Sequence, residues 1–166
     1  MFSVELLPDP RLDQAVREDW SRLVDAGLPS AGRNPAAGNR PHITLAVRDA
    51  LALSDLDGVA AALPLPITLS GVLLFGRHRF VLTRHVVVGE PLRELHVEVA
   101  ARLGTPEARY ANTAPGHWSP HITLARGLDP ERLARGLRAI LAPSVSGEAI
   151  GLRVWDAATR TVTTLG

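Results

Sequence analysis

The chain has no cysteine among its 166 residues. A disulfide framework, a thiolate nucleophile and a cysteine metal site are therefore excluded, and cysteine usage says nothing about redox compartment. Lysine is absent too, since all 18 basic residues are arginine. Gly71 and Gly76 consequently cannot belong to a phosphate-binding glycine loop that ends in Gly-Lys. Arginine suits bidentate phosphate recognition, but alongside so much Ala, Gly and Pro a GC-rich coding bias explains the preference more simply. Neither charge sign is in excess: the net charge is +1, which gives no global electrostatic case for gripping long nucleic acid. A membrane-length apolar run is also missing. The uncharged stretch from Val59 to Phe75 is interrupted by Pro64, Pro66, Thr68 and Ser70, and a span needs about 20 mostly apolar residues. The N-terminus lacks a basic region, and Glu5, Pro8 and Asp9 break up any apolar core, so a secretory signal is not expected and a cytoplasmic location is.

What remains is a chain that is 46% hydrophobic, enough for a packed core in one domain spanning residues 1–166. Strand and helix patterns alternate along it. Phe2 to Leu7 reads as a strand closed by Pro8 and Pro10. Leu12, Val16, Trp20, Leu23 and Val24 recur at helical spacing before Gly27 and Pro29. Residues 30–40 carry turn chemistry. A strand at His42 to Val47 is followed by a helix capped by Ser54 or Asp55 and broken at Pro64. Two strands, Ile67 to Phe75 and Phe80 to Val88, flank a turn at residues 76–79. A helix through Leu92, Leu95, Val99 and Leu103 leads to a strand at His121 to Ala125. Then come a helix with Leu133, Leu137, Ile140 and Leu141, and strands near Val145 to Trp155 and Thr159 to Leu165.

One hexapeptide, Pro-His-Ile-Thr-Leu-Ala, stands at 41–46 and again at 120–125, and its histidines at positions 42 and 121 are 79 residues apart. The next predicted strand follows each histidine after a similar interval. An internal duplication of roughly 1–88 and 89–166 is the simplest explanation. The expected fold is α+β and bilobal: two antiparallel sheets facing a central cleft, with helices on the outer faces.

Side chains alternate along a strand, so His42, Thr44 and Ala46 share one face and Ile43, Leu45 and Val47 the other. His121, Thr123 and Ala125 repeat the arrangement. The aliphatic face is a core face, and a core has no reason to keep His and Thr twice on the side turned away from it. Brought together across a cleft, one imidazole can take a proton from an attacking oxygen while the other gives one to a leaving oxygen, and the hydroxyls can hold the non-bridging oxygens of a phosphodiester. No metal or other cofactor is required.

The paired motifs resemble those of the 2H phosphoesterase superfamily, in particular its branch of 2′-5′ RNA ligases and RNA cyclic phosphodiesterases. The resemblance rests on Pro41 to Ala46 and Ser119 to Arg126, and the element order extends it over nearly the whole chain. It implies a bilobal fold with His42 and His121 as acid and base and Thr44 and Thr123 as phosphate ligands. It further implies opening of 2′,3′-cyclic phosphates on RNA ends or small nucleotides, with 2′-5′ ligation as the reverse reaction. Some members use an arginine five residues after the second histidine, which matches Arg126.

Strict alternation sets Arg126 on the wrong face unless the strand ends or bulges, whereas Arg48 has the correct parity; both are candidate phosphate ligands. Trp118 and Tyr110, ahead of the second motif, are candidates for stacking on a base. His117 and His121 have helical metal-site spacing, but Pro120 argues against a helix there. His78, His85 and His96 read as surface or boundary residues. Two other functions compete: an RNA- or nucleotide-binding module without turnover, and a metal-dependent hydrolase using several of the six histidines. A monomer is expected.

Overall fold

Asp9-Pro10 and Asp129-Pro130 each open a helix, because aspartate caps the first turn and proline presets it. Asp9 Oδ1 accepts from Leu12 N at 2.8 Å, and Asp129 Oδ1 accepts from Arg132 N at 2.8 Å. The computed structural model describes residues 1–36 and 38–166. Its strands are β1 (Phe2–Pro8), β2 (Ile43–Arg48), β3 (Leu65–Phe75), β4 (Phe80–Val87), β5 (His121–Leu128), β6 (Val145–Asp156) and β7 (Thr161–Leu165). Its α-helices are α1 (Pro10–Asp25), α2 (Glu90–Leu103) and α3 (Pro130–Ala139). The class is α+β, as the sequence pattern predicts. Leu12, Val16, Trp20 and Leu23 form the buried stripe of α1.

Two expectations are corrected. The segment after β2 holds single 3-10 turns, Leu53–Leu56 and Val59–Ala62, in place of one α-helix. Neither Ser54 nor Asp55 caps it, and Gly58, between the two turns, adopts a left-handed conformation (φ 76°) that keeps them from joining into one helix. The loop expected at 30–40 contains a short 3-10 turn, Ala31–Arg33; position 37 lies outside the described residues. An unanticipated 3-10 segment, Ala108–Thr113, precedes β5.

The larger correction concerns the sheet. Hydrogen bonding runs through all seven strands as one antiparallel sheet in the order β2-β1-β6-β3-β4-β5, with β7 on β6, where two separate sheets were expected. The cause is the length of β6. Its beginning, Val145–Ala149, pairs with β3, and Ala149–Asp156 pairs with β1, so one strand serves both parts. The strands at the two ends of that order, β2 and β5, nevertheless approach each other, so the sheet curls back and brings the two histidine strands together.

The chain halves interleave over this sheet. α1 packs on β5, β6 and α3, whereas α2 packs on β2, β3 and the 3-10 turns. A buried ion pair fixes the first of these arrangements. Arg84 on β4 is fully buried and donates to Asp19 Oδ2 on α1 at 2.8 Å, and also to the Pro143 carbonyl. Buried charges of this kind are tolerable only when paired.

Candidate active site

Each repeated hexapeptide places its histidine at the mouth of an edge strand. The local chemistry is the same in both. Proline lacks an N–H and pins φ, and the carbonyl of the residue before it lies under the imidazole. His42 Nδ1 is 2.7 Å from Arg40 O, and His121 Nδ1 is 2.7 Å from Ser119 O. A carbonyl only accepts, so Nδ1 carries hydrogen in both rings and Nε2 is left for a reactant.

Both strands also bulge at the same place. In β2, Val4 of β1 opposes Ala46 and Glu5 opposes Thr44, which leaves Leu45 as the extra residue. In β5, Leu82 of β4 opposes Ala125 and Thr83 opposes Thr123, which leaves Leu124 as the extra residue. A bulge reverses the alternation beyond it. Leu45-Ala46 and Leu124-Ala125 are consequently buried as consecutive pairs. The next residues, Val47 and Arg126, turn to the face carrying the threonines.

The consequence separates the two arginines. Arg126 Nη2 donates to Thr123 Oγ1 at 3.2 Å, and the residue borders the cavities beside the two motifs. Arg48, expected on the same face as His42, points to the opposite one. It is 4% exposed and donates to the Gly104 carbonyl at 2.7 Å, which ties β2 to the end of α2. Burial lowers its pKa, with Glu107 acting in the other direction.

His42, Thr123 and Arg126 border one cavity of about 370 Å³, which also reaches Trp20. His121, Thr44 and Arg126 border an adjoining one of about 280 Å³. Arg126 thus stands between the two motifs. Two tryptophans brace the arrangement reciprocally: Trp20 donates its indole N–H to Thr123 O at 2.9 Å, and Trp118 donates to Thr44 O at 2.9 Å. Each half of the chain thereby holds the threonine strand of the other.

Trp118 is half-buried and stacked on His96, with centroids 3.9 Å apart and planes 6° from parallel. It still borders the His121 cavity. Tyr110 borders the same cavity, and its hydroxyl donates to Asp49 Oδ1 at 3.2 Å. His96, expected near the surface, is buried on α2 with Nε2 3.0 Å from Thr113 O. Burial lowers its pKa. His117 borders the His121 cavity. Among the described residues, no group of three or more His, Asp or Glu side chains is arranged to hold a metal ion.

Sequence reasoning missed the feature that breaks the symmetry. Glu5, 4% exposed on β1, sets Oε1 3.6 Å from His42 Nε2. Its other oxygen accepts from Arg153 Nε on β6 at 2.8 Å, and Arg153 Nη1 donates onward to Gly38 O at 2.9 Å. His121 has the Phe75 ring beside it, centroids 4.6 Å apart, in place of a carboxylate. Burial lowers the His121 pKa, with Arg126 and His42 adding to the effect and the Ser119 carbonyl opposing it. One imidazole therefore sits by a buried anion, and the other sits in a positive, desolvated corner.

A family model described as the 2′-5′ RNA ligase superfamily matches residues 8–161. Among solved structures, TT0787 of Thermus thermophilus superposes with a TM-score of 0.60 at 20% identity, covering 99% of this chain and 94% of that one. A Kluyveromyces marxianus Usb1 structure with uridine monophosphate gives a TM-score of 0.50 at 16% identity, covering 99% and 96%. At such identities the likeness concerns the fold. No curated protein sequence matches. Among the described residues, no helix is long and apolar enough to cross a membrane.

Proposed function

The chain belongs to the 2′-5′ RNA ligase superfamily, and from that premise we propose that it is a phosphodiesterase opening 2′,3′-cyclic phosphates on RNA ends or nucleotides by two-histidine acid–base catalysis. The observation that carries this reading is the matched pair of histidines, each with Nδ1 tied to a backbone carbonyl, flanking adjoining cavities that Arg126 joins.

The asymmetry around the rings suggests the division of labour. His121, held neutral by its surroundings, accepts the proton of a water molecule through Nε2 as the water oxygen attacks phosphorus. His42, 3.6 Å from the Glu5 carboxylate, takes the acid role and gives an Nε2 proton to the departing ribose oxygen as the P–O bond breaks. The product is a ribose phosphomonoester. His121 leaves protonated and His42 neutral, and exchange with solvent restores both. Thr44, Thr123 and Arg126 hold the non-bridging oxygens, and the Arg126–Thr123 hydrogen bond aims the threonine proton outward. With a 5′-hydroxyl in place of water, the same two transfers run ligation.

The experiment is a panel of 2′,3′-cyclic nucleotides and cyclic-phosphate RNA ends, scored for hydrolysis and for the phosphate isomer formed. Turnover that persists with chelator present supports the reading. Tight binding with no turnover on every member of the panel supports a nucleotide-binding module instead.

A further inference from the structure

The cleft does not stop at the histidines. Beyond His42 a cavity of about 210 Å³ continues past Asn34 and Asn39 to Trp155. From there a further one of about 580 Å³ runs between Asn34, Ala36 and Gly38 on one side and Trp155, Arg160 and Val162 of the β6–β7 hairpin on the other. Asn34 and His42 both border the 370 Å³ cavity as well, so the spaces adjoin in series from the histidine to the hairpin. The outer volume alone lies within the range of small-ligand sites, about 300–1,000 Å³.

We propose that this extension is a second nucleotide subsite, which binds the nucleotide adjacent to the one bearing the reacting phosphate, with Trp155 as the stacking platform and Arg160 as the phosphate contact. The proposal rests on the reading of the histidine centre as one that handles nucleotide phosphodiesters. Three features of the hairpin carry it.

The first is the use of the tryptophans. Trp20 and Trp118 are committed to holding strand carbonyls, whereas Trp155 stands half-exposed and borders both outer cavities. It lies two residues from Arg153 on β6, on the same face of the sheet as Glu5 and the His42 motif. An aromatic face beside a phosphate-handling centre accepts any base.

The second is Arg160. It occupies the left-handed region at φ 56°, a conformation that glycine or asparagine adopts at lower cost. It forms no ion pair among the described residues. Asp156, the carboxylate nearest in sequence, is engaged in the turn, accepting from Ala158 N and from Thr159 Oγ1, each at 2.8 Å. A guanidinium held there is available to a phosphate.

The third is the anchoring of the opposite wall. Arg153 donates to Gly38 O at 2.9 Å, and a Cβ on Gly38 would come within 3.1 Å of Val162 Cγ2. Gly38 is therefore seated on the hairpin by the same arginine that pairs with Glu5, which links the outer groove to the catalytic floor.

The test is the binding of a fluorescently labelled tetraribonucleotide ending in a 3′-phosphate, followed by anisotropy, with the matching nucleoside 3′-phosphate as competitor. The wild-type protein is expected to hold the tetranucleotide more tightly. That advantage should shrink about tenfold in Trp155→Ala and several-fold in Arg160→Gly, and it should survive in Trp155→Phe. Arg160→Gly also guards against misfolding, because glycine suits the backbone there and the melting temperature should not fall. Equal affinity of the wild type for both ligands, or an undiminished advantage in both Trp155→Ala and Arg160→Gly, overturns the subsite. Hydrolysis of the cyclic mononucleotide by the wild type, measured in parallel, reports separately on the catalytic reading. Its failure would remove that reading, while the binding comparison still decides the subsite.

Discussion

Glu5 Oε1 lies 3.6 Å from His42 Nε2, whereas no carboxylate among the described residues comes within ion-pair reach of His121. The repeated motifs are equal in sequence and unequal in surroundings, and in the proposed mechanism that inequality assigns the roles. A general acid matters when the leaving oxygen is a poor one, and a general base matters whatever the leaving group is. On a 2′,3′-cyclic nucleotide, His42→Ala and Glu5→Gln should both lower kcat, the first by about 10²–10⁴-fold and the second by less. On a p-nitrophenyl phosphodiester, whose phenolate needs no proton to depart, both losses should shrink. His121→Ala should lose as much on either substrate. Equal losses for His42→Ala on the two substrates would reverse or abolish the assignment.

The pH profile follows from the same corner of the cleft. Burial, Arg126 and His42 lower the His121 pKa, so its base form persists below the ordinary histidine value of about 6.5. The acidic limb of kcat/KM should accordingly fall below that value. Arg126→Gln removes one of the lowering causes, and the limb should move upward with it. An acidic limb unmoved by the substitution would contradict this source of the shift.

Stability should also depend on pH, with a definite sign. His121 and His96 are both held neutral by burial, so below about pH 6.5 the unfolded chain binds protons that the folded chain resists. Unfolding midpoints in urea should fall as the pH drops through the usual histidine range and below it. His96→Phe, which keeps a ring to stack on Trp118, should flatten part of that dependence.

The Asp19–Arg84 pair holds α1, and with it Trp20, against the β4 side of the sheet. Asp19→Ala would leave a fully buried guanidinium without its counter-charge, at a cost of about 3–5 kcal/mol. Chemical denaturation measures it directly. A loss below about 1 kcal/mol, the size expected of an exposed pair, would show that the pair is not desolvated as described.

Much of this was legible in the sequence because the signals were local or repeated. The capped helices, the alternation of Ile43-Thr44-Leu45 and the repetition of Pro-His-Ile-Thr-Leu-Ala needed no long-range information, and the repetition was enough to expect that the two motifs would meet. The bulges were hidden because strict alternation is the default reading of a strand. Their trace is the Leu-Ala pair in each copy, two consecutive residues that both pack inward, and it decides for Arg126 over Arg48 where strict alternation alone decides the other way. The continuity of the sheet depends on where β6 changes partner, and no local residue pattern announces that. Glu5 and Arg153 meet across a separation of 148 residues, so their ion pair became visible only in the fold.

The proposed catalysis requires both imidazoles to serve one phosphorus centre. Initial rates of 2′,3′-cyclic nucleotide hydrolysis by the wild type, His42→Ala, His121→Ala and the double variant, with folding checked by circular dichroism, test that directly. Each single variant should lose about 10²–10⁴-fold, and the double should lose far less than the product of the two. A folded single variant that keeps wild-type turnover would contradict it.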